Sequence, residues 1–315
     1  MAITSRPWRG PTDLVAIQAA ITASWLIARP IVQVLAGDVS WWLASAPPGT
    51  EWRERIRLWV RDDEVVAWAW FMPPDAADLF LRADVAPIDR RGLIAAIGDW
   101  LVERVMWWSA TAPDGPDPPV TRILTWALDA DDTLQGDLTA AGFAPEEPEY
   151  SMFHRRLDDD RPLPEAPLPP GYRVRPVRLP HELEARVDVH RAAFAPSKMT
   201  VEKHTRLLDL PGYTADHDLV VEAPDGSLAA FTLVWWDPVA RAGEFEPVGV
   251  HPGHQRRGLG RAINVEGLRL LRRLGAIDAV VFSRRTNVAS EALYASAGFD
   301  RLTTVRRWSR PLEPR

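Results

Sequence analysis

The stretch Val250-His251-Pro252-Gly253-His254-Gln255-Arg256-Arg257-Gly258-Leu259-Gly260 decides the fold of the second half of the chain. It follows an apolar run that ends at Val250 and predicts a strand, and it leads into an apolar stripe at helical spacing that begins near Leu259. A loop between a strand and a helix directs unpaired backbone N–H groups and the positive end of the helix dipole toward one point. That geometry suits pyrophosphate, so we expect a phosphorylated ligand here.

Two glycines and three arginines give this loop its predicted chemistry. Gly258 and Gly260 have no side chain that would block a phosphate, and Arg256, Arg257 and Arg261 would add charge-assisted hydrogen bonds. The chain has no GxxxxGK[ST] sequence, and the Gly-Leu-Gly segment lacks the third glycine and the later acidic residue of a dinucleotide fingerprint. The loop therefore differs from both of these phosphate-binding motifs.

Around the loop, the apolar pattern predicts a mixed α/β layer. Antiparallel strands precede a strand–helix–strand unit, which is not the order of a doubly wound sheet. The predicted elements are helices at 182–193 and 201–208, strands at 219–222, 229–235 and 244–250, a long helix from Leu259 to a stop at Gly275, a strand at 279–283, and then a helix and closing strands.

Five prolines and an acidic run between residues 158 and 170 predict an extended linker, because proline fixes φ and removes a backbone donor. With 315 residues, the chain suits two domains of about 150 residues each. We therefore predict a first domain at 1–157, the linker at 158–170 and a second domain at 171–315.

Three segments recur in the two halves in the same order, which indicates a duplicated domain. Residues 62–70 match 224–232, residues 85–93 match 250–259 with one residue fewer, and residues 138–143 match 294–299. The first copy lacks the second loop glycine and places Ile94 where a phosphate would approach. It also has Leu138 in place of a tyrosine and Asp131 in place of an asparagine. We predict that this degenerate copy binds no coenzyme.

Composition excludes several classes of protein. The net charge of −6 argues against general nucleic-acid binding, although residues 158–315 carry a net charge of +2. The chain has no cysteine and no histidine pair at HExxH spacing, so we expect no metal site. No signal peptide and no apolar run of about 20 residues is visible. We expect a cytoplasmic protein with no membrane contact. Its 15 tryptophans lie mostly in the first half, where they pack a core or line a substrate pocket.

The loop sequence resembles the acetyl-CoA loop of the GNAT superfamily of N-acetyltransferases. The pattern is Gln or Arg, two residues, Gly, one residue, then Gly or Ala, and Asn287, Tyr294 and Gly298-Phe299 follow at the spacing of that family. The resemblance is strong over 172–310 and weaker over the first half. The whole chain resembles the tandem-GNAT arrangement of mycothiol synthases, with no feature that ties it to their substrate. It implies two tandem GNAT domains, the first of them degenerate.

The resemblance also implies roles for individual residues. Backbone groups of Val248, Gly249 and Val250 would hold the pantetheine arm and the thioester oxygen of acetyl-CoA. The loop residues Gln255, Arg256, Arg257, Gly258, Leu259, Gly260 and Arg261 would bind its phosphates. Tyr294 would protonate the leaving thiolate, or would only pack in the core. Asn287 would cap its helix, bind pantetheine, or do both.

Glu244 and Glu246 are the candidates for the general base. Side chains alternate along a strand, so both lie on the same face of the strand that enters the loop. Histone acetyltransferases of this superfamily have a glutamate at the position that matches Glu244. Glu246 is nearer the β-bulge that the resemblance implies, where Pro247 and Gly249 are residue types expected at broken strand pairing. We favour Glu246. The alternative is that both carboxylates only attract a cationic amine.

The leading functional hypothesis is an acetyl-CoA-dependent N-acetyltransferase that acts on a primary amine of a small molecule by direct attack in a ternary complex. A non-catalytic acyl-CoA sensor and a protein-lysine acetyltransferase are the alternatives. The chain is expected to be a monomer with a pseudo-dimeric architecture, or a homodimer.

Overall fold

The computed structural model describes residues 2–111 and 120–312, and the chain divides into two compact units. Unit 1 comprises Met1–Val34, Pro47–Tyr150 and Thr303–Arg315, and unit 2 comprises Leu35–Ala46 and Ser151–Leu302. The domain limits that we placed at 157 and 171 describe the duplicated sequence and stay a prediction. The compact units follow different limits, because each takes in a segment from the other half of the chain.

Unit 1 is a mixed sheet with helices. Across the sheet, the strands run in the order β1 (Thr4–Pro7), β2 (Ile56–Arg61), β3 (Glu64–Met72), β4 (Ala76–Leu81), β5 (Arg122–Leu128) and β12 (Asp300–Pro311), followed by the start of β6 (Ala144–Arg156). The helices are α1 (Pro11–Ala28), α3 (Trp52–Arg55), α4 (Pro87–Thr111) and α5 (Asp132–Ala140). Strands β4 and β5 are parallel and pair only at Ala76 and Leu124, so they diverge beyond that point.

Helix α1 buries Leu14, Ile17, Ile21 and Trp25 in unit 1. By length and composition alone, this 18-residue helix is apolar enough to cross a membrane, and 39% of it is buried inside the structure. A core helix of a soluble protein passes the same test. This segment was not predicted to be apolar enough to span a membrane, because its small residues and two threonines lower its mean hydropathy.

Unit 2 has the mixed α/β fold that the sequence predicts. Across its sheet, the strands run in the order β7 (Arg173–Pro176), β8 (Asp218–Glu222), β9 (Leu228–Asp237), β10 (Ala242–Val250), β11 (Asp278–Arg284) and the end of β6. The helices are α2 (Ala36–Ser45), α6 (Leu183–Ala193), α7 (Val201–Leu208), α8 (Leu259–Leu274) and α9 (Val288–Ser296). Each of the neighbouring pairs from β7 to β10 is antiparallel, and the pair of β10 and β11 is parallel.

The apolar stripe of α8 forms much of the core of unit 2. Leu259, Ile263 and Leu271 are fully buried, whereas Leu274, which we placed on the same stripe, is 39% exposed. Gly267 allows the helix to approach the sheet, because a Cβ at this position would lie 2.3 Å from the ring of Phe245. The helix ends as predicted at Gly275, which has a φ of +86°.

Residues 158–170 are part of unit 2, contain no helix or strand, and pack against its core. Leu163, Ala166 and Leu168 lie against its hydrophobic core. Arg161 donates hydrogen bonds to the carboxylate of Asp300 at 2.6 Å and to the carbonyl of Gly298 at 2.8 Å. The proline-rich segment is therefore extended and is fastened along its length.

The duplication is visible in the way that α5 and α9 end. Gly142 and Gly298 both have positive φ values, and the next residue in each copy, a phenylalanine, donates its backbone N–H to a carbonyl in the last turns of the helix. The copies differ at the loop, because α4 begins at Pro87 and the residues that match the loop are helical. Ile94 is also 1% exposed in the core of unit 1, so our placement of Ile94 toward a phosphate was wrong.

Candidate active site

The strands β10 and β11 separate at the point where the site was predicted. They are paired with each other from Ala242 to Glu244 and not beyond that residue. The register of β10 against β9 also shifts between Phe245 and Val248, which marks a β-bulge at Pro247. Among the described residues, the edge of β10 that would continue toward β11 therefore has no strand partner along Val248, Gly249 and Val250, where the side chain of Gln255 donates to the carbonyl of Val250 at 3.4 Å.

Gly249 holds this strand close to its neighbours. A Cβ at this position would lie 2.5 Å from the ring of Phe231 and 2.8 Å from Ala193. Contacts of that length are not seen between real atoms, so any other residue would displace the strand from Phe231. The backbone of Gly249 is thus fixed against a fully buried ring.

The predicted loop forms a 3₁₀ turn at Pro252–His254 and then reverses direction into α8. Arg256 and Gly258 have left-handed φ values of 58° and 78°, and Gly258 is the N-cap. The first backbone N–H groups of α8 therefore lack intrahelical partners and point out of the helix end. This is the geometry of an anion site.

The two glycines and the leucine of the loop have different roles. A Cβ on Gly258 would meet no atom within 4 Å, so this position is open to a ligand. A Cβ on Gly260 would instead lie 3.1 Å from Leu293, so Gly260 is needed chiefly for the packing of α8 on α9. The side chain of Leu259 is buried in the core. Only the backbone of Leu259 is therefore available to a cofactor.

Polar side chains of the loop are exposed and partly organised. Gln255, Arg256 and Arg257 are exposed, and a guanidinium nitrogen of Arg257 donates to the hydroxyl of Tyr172 at 3.0 Å. The same hydroxyl lies 3.0 Å from Nδ1 of His254. Tyr172 was not singled out from the sequence. It lies directly before β7, and its two contacts fix the position of the loop.

Three carboxyl groups converge beside the bulge. Glu244 and Glu246 lie on β10, as predicted, and Asp38 comes from α2; ligand oxygens of the three lie within 4.8 Å of one another. Asp38 is 6% exposed and Glu244 is 1% exposed, whereas Glu246 is half-buried. Burial raises the pKa of Glu244 well above its usual value, and the charges of Asp38 and Glu246 raise it further.

Asp38 is the site residue that the sequence analysis missed. The position of its carboxylate is fixed, because Oδ2 accepts the backbone N–H of Leu35 at 2.7 Å. The next residue toward the N-terminus, Gly37, lets α2 approach β9: a Cβ there would lie 2.3 Å from the ring of Trp235. No motif or spacing in the sequence predicts that residue 38 lies beside β10. The contact follows only from the fold.

The carboxyl cluster bears on the expected absence of a metal. Acidic oxygens at this separation are able to ligate a cation. The expectation of no metal therefore stays a prediction.

Tyr294 lies on α9 and is 6% exposed. Its ring packs 5.7 Å from Phe153 and 6.2 Å from Phe299, between ring centroids. Burial raises the pKa of its hydroxyl above the usual value, and the nearby charge of Glu246 raises it further. The core packing that we considered as an alternative is present, and the phenol also lies in the electrostatic field of the candidate base.

Asn287 caps α9, because its side chain accepts the backbone N–H of Ser290 at 3.1 Å. One of the two roles that the sequence left open is thus visible. Its contact with pantetheine stays a prediction.

Comparison with known proteins agrees with this geometry. Residues 187–299 match the model of the Acetyltransferase (GNAT) family. The chain is 28% identical over 264 residues to a mycothiol acetyltransferase of Acidothermus cellulolyticus, covering 78% of this chain and 76% of that protein. It is 33% identical over 148 residues to a mycothiol acetyltransferase of Salinispora tropica, of which the match spans about half, 48%. A tandem GNAT protein from the clavulanic acid biosynthesis pathway shares the fold, with a TM-score of 0.61, 14% identity and 100% coverage of both chains.

Proposed function

We propose that this chain, whose residues 187–299 match the Acetyltransferase (GNAT) family model and whose fold is similar to that of a tandem GNAT protein, transfers an acetyl group from acetyl-CoA to a primary amine of a small molecule. Attack is direct, within a ternary complex of protein, acetyl-CoA and amine. The proposal depends above all on one observation: a half-buried glutamate and a buried tyrosine flank the separated strands β10 and β11.

Residues of the second half fit the acyl donor. The exposed arginines Arg256 and Arg257 and the N-terminus of α8 suit its phosphates. The unpaired edge of β10 beyond Phe245 offers N–H and C=O groups to the amides of the pantetheine arm and to the thioester oxygen.

Starting from an ammonium ion, the proposed chemistry needs two protons removed from nitrogen and one supplied to sulfur. Glu246 takes the first proton from the acceptor ammonium, and the resulting amine attacks the thioester carbon. As the C–S bond breaks, the electron pair goes to sulfur, and the hydroxyl of Tyr294 donates its proton to that thiolate. The phenolate that remains takes the second proton from the new amide nitrogen, and Glu246 releases the first to water, so the net products are an amide, free coenzyme A and one proton.

Two observations support a small cationic acceptor. The carboxyl groups of Asp38, Glu244 and Glu246 give the site a negative potential that favours an ammonium group. The relatives named mycothiol acetyltransferase, at 28% and 33% identity, also support an acceptor that is a small molecule.

The proposed activity is tested by measuring release of free thiol from acetyl-CoA in the presence of a panel of small primary amines, with lysine-containing peptides as a separate arm. We expect release with at least one class of small amine and a product that is an amide by mass spectrometry. Calorimetry on the same samples would separate an enzyme from a sensor. Binding of acetyl-CoA without thiol release from any amine would contradict the proposal.

Replacing Arg256 and Arg257 together with alanine is expected to raise the KM for acetyl-CoA about tenfold, which corresponds to about 1.4 kcal/mol. The kcat should stay nearly constant, because these side chains lie on the loop and not on β10 or α9, which carry Glu246 and Tyr294. The difference from wild type should shrink as ionic strength rises, since both arginines are exposed.

The matched control removes two positive charges from α8, the helix that follows the loop. Arg269 and Arg273 pair with Glu266 on the surface of α8, away from its N-terminus. Their replacement with alanine should leave the KM for acetyl-CoA within about twofold. An equal rise in both double variants would show that the loop arginines act only through general charge.

A further inference from the structure

We propose that Asp38 and Glu244 hold one proton between them and act as a positioning pair, which leaves Glu246 as the ionised carboxylate that meets the acceptor amine. The inference rests on the proposed function for its role in catalysis. The shared proton itself is a property of the folded protein and is testable without any substrate.

The geometry of the pair requires a proton. Asp38 and Glu244 are 6% and 1% exposed, and oxygens of their carboxyl groups lie within 4.8 Å of each other. Two ionised carboxylates have no hydrogen to share and repel strongly when both are removed from water. A hydrogen bond between two buried carboxyl groups therefore contains a proton that belongs to the pair.

The donor and acceptor of this hydrogen bond follow from the surroundings. Burial raises the pKa of Asp38, and the backbone N–H of Leu35, which Asp38 accepts at 2.7 Å, opposes that shift by favouring the charged form. Oε2 of Glu244 is buried without a hydrogen-bond partner, so nothing on that oxygen compensates a negative charge. Glu244 therefore keeps the proton and donates it to Asp38.

The groups that face Glu244 all favour this arrangement. Asp38 of α2 and Glu246 of its own strand are both acidic, and each raises the pKa of Glu244. Its cross-strand partners are Trp235 on β9 and Val280 on β11, neither of which carries a charge. Beside Glu246 lies Tyr294 of α9, whose hydroxyl is kept protonated by burial and by Glu246.

The consequence for catalysis is a division of labour among the three carboxyl groups. Without a shared proton, three adjacent negative charges would compete for any proton in the cluster. With the proton held by the buried pair, the half-buried Glu246 is the group that the acceptor reaches. Asp38 thus acts on the reaction through Glu244 and Glu246.

Stability as a function of pH tests the shared proton directly. The pKa of Glu244 is raised in the folded state, so between its unfolded value of 4.5 and that raised value the native protein binds one more proton than the unfolded chain. The folding equilibrium constant of wild type should then fall about tenfold for each unit by which the pH rises within this window.

Glu244→Gln should abolish this dependence, because its amide donates to Asp38 as the protonated acid does and has no proton to lose. We therefore expect the variant to gain on wild type progressively above pH 4.5. Glu266→Gln on the surface of α8 is the matched control, and its curve should run parallel to wild type. Parallel curves for wild type and Glu244→Gln would overturn the proposal.

A kinetic comparison tests the positioning role. Asp38→Ala should lower kcat at least tenfold with little change in the KM for acetyl-CoA, and Asp38→Asn, whose amide oxygen still accepts from Glu244, should recover most of that loss. Equal losses in the two variants would overturn the positioning role. If no amine is acetylated at all, the proposed function fails while the stability curves still decide the shared proton.

A divalent cation is the competing occupant of the cluster. Titration of the full chain with Mg²⁺ or Ca²⁺ is expected to change neither the unfolding midpoint nor its pH dependence. Stabilisation that disappears in Glu244→Gln would mean that a metal, not a proton, is shared, and would overturn the proposal.

Discussion

Glu246→Gln is expected to lower kcat roughly 10²–10⁴-fold, the usual contribution of a general base. The acceptor arrives as an ammonium ion, which cannot attack a thioester until it loses a proton. Glutamine has the same shape as glutamate and accepts no proton. The KM for acetyl-CoA should change little, because the donor is held by β10 backbone and by the loop. Steady-state rates with both substrates varied would measure the two effects separately.

The pH profile distinguishes a lost base from a distorted site. In Glu246→Gln, the residual rate should rise with pH, because the fraction of neutral amine in solution rises and replaces the missing proton transfer. A merely distorted site would lose activity equally at all pH values. Glu244→Gln is the informative neighbour on the same strand: a greater loss there than in Glu246→Gln would transfer the base to Glu244, as the histone acetyltransferase resemblance suggests.

Tyr294→Phe is expected to lower kcat by about 10²-fold or more, since it removes the predicted proton donor for the departing thiolate. The ring keeps its packing against Phe153 and Phe299, so the variant should fold. Because burial and Glu246 raise the pKa of this phenol, wild type should show no loss of activity from Tyr294 ionisation at or below its usual pKa near 10.

The leaving group provides the sharper test of Tyr294. An acetyl thioester of a more acidic thiol needs less help to depart, so it should suffer a smaller loss in Tyr294→Phe than acetyl-CoA does. Tyr172→Phe is the matched tyrosine change. It loosens the loop that Tyr172 contacts, and should raise the KM for acetyl-CoA more than it lowers kcat. Unchanged turnover in Tyr294→Phe at saturating acetyl-CoA would remove it as general acid.

The sequence was sufficient where local signals agree. The elements of unit 2 from α6 to β11 lie within a few residues of their predicted limits, because each combines an apolar period with a clear end signal such as Gly275. The bulge at Pro247 was also predictable, since proline breaks strand pairing.

The sequence was insufficient where the decisive contact is distant. Asp38 is separated from Glu244 by most of the chain, and α2 carries no motif, so only the packing of α2 on β9 and α7 brings it to the site. The reason for Gly260 was also invisible, because the leucine that it makes room for lies on another helix. Ile94 is buried because α4 begins at Pro87 and already includes the residues that match the loop of the second copy. An alignment of the two copies by residue count does not show this earlier helix start.

The exchange of segments between the units has a consequence for the history of this gene. Unit 2 includes residues 35–46 from the first half, and unit 1 includes the residues from Thr303 onward. A split of the gene at the proline-rich segment would leave each unit without the segment that the other half of the chain contributes, and the segment missing from unit 2 includes Asp38. Selection on the candidate site in unit 2 would therefore also act on a helix that the first half encodes.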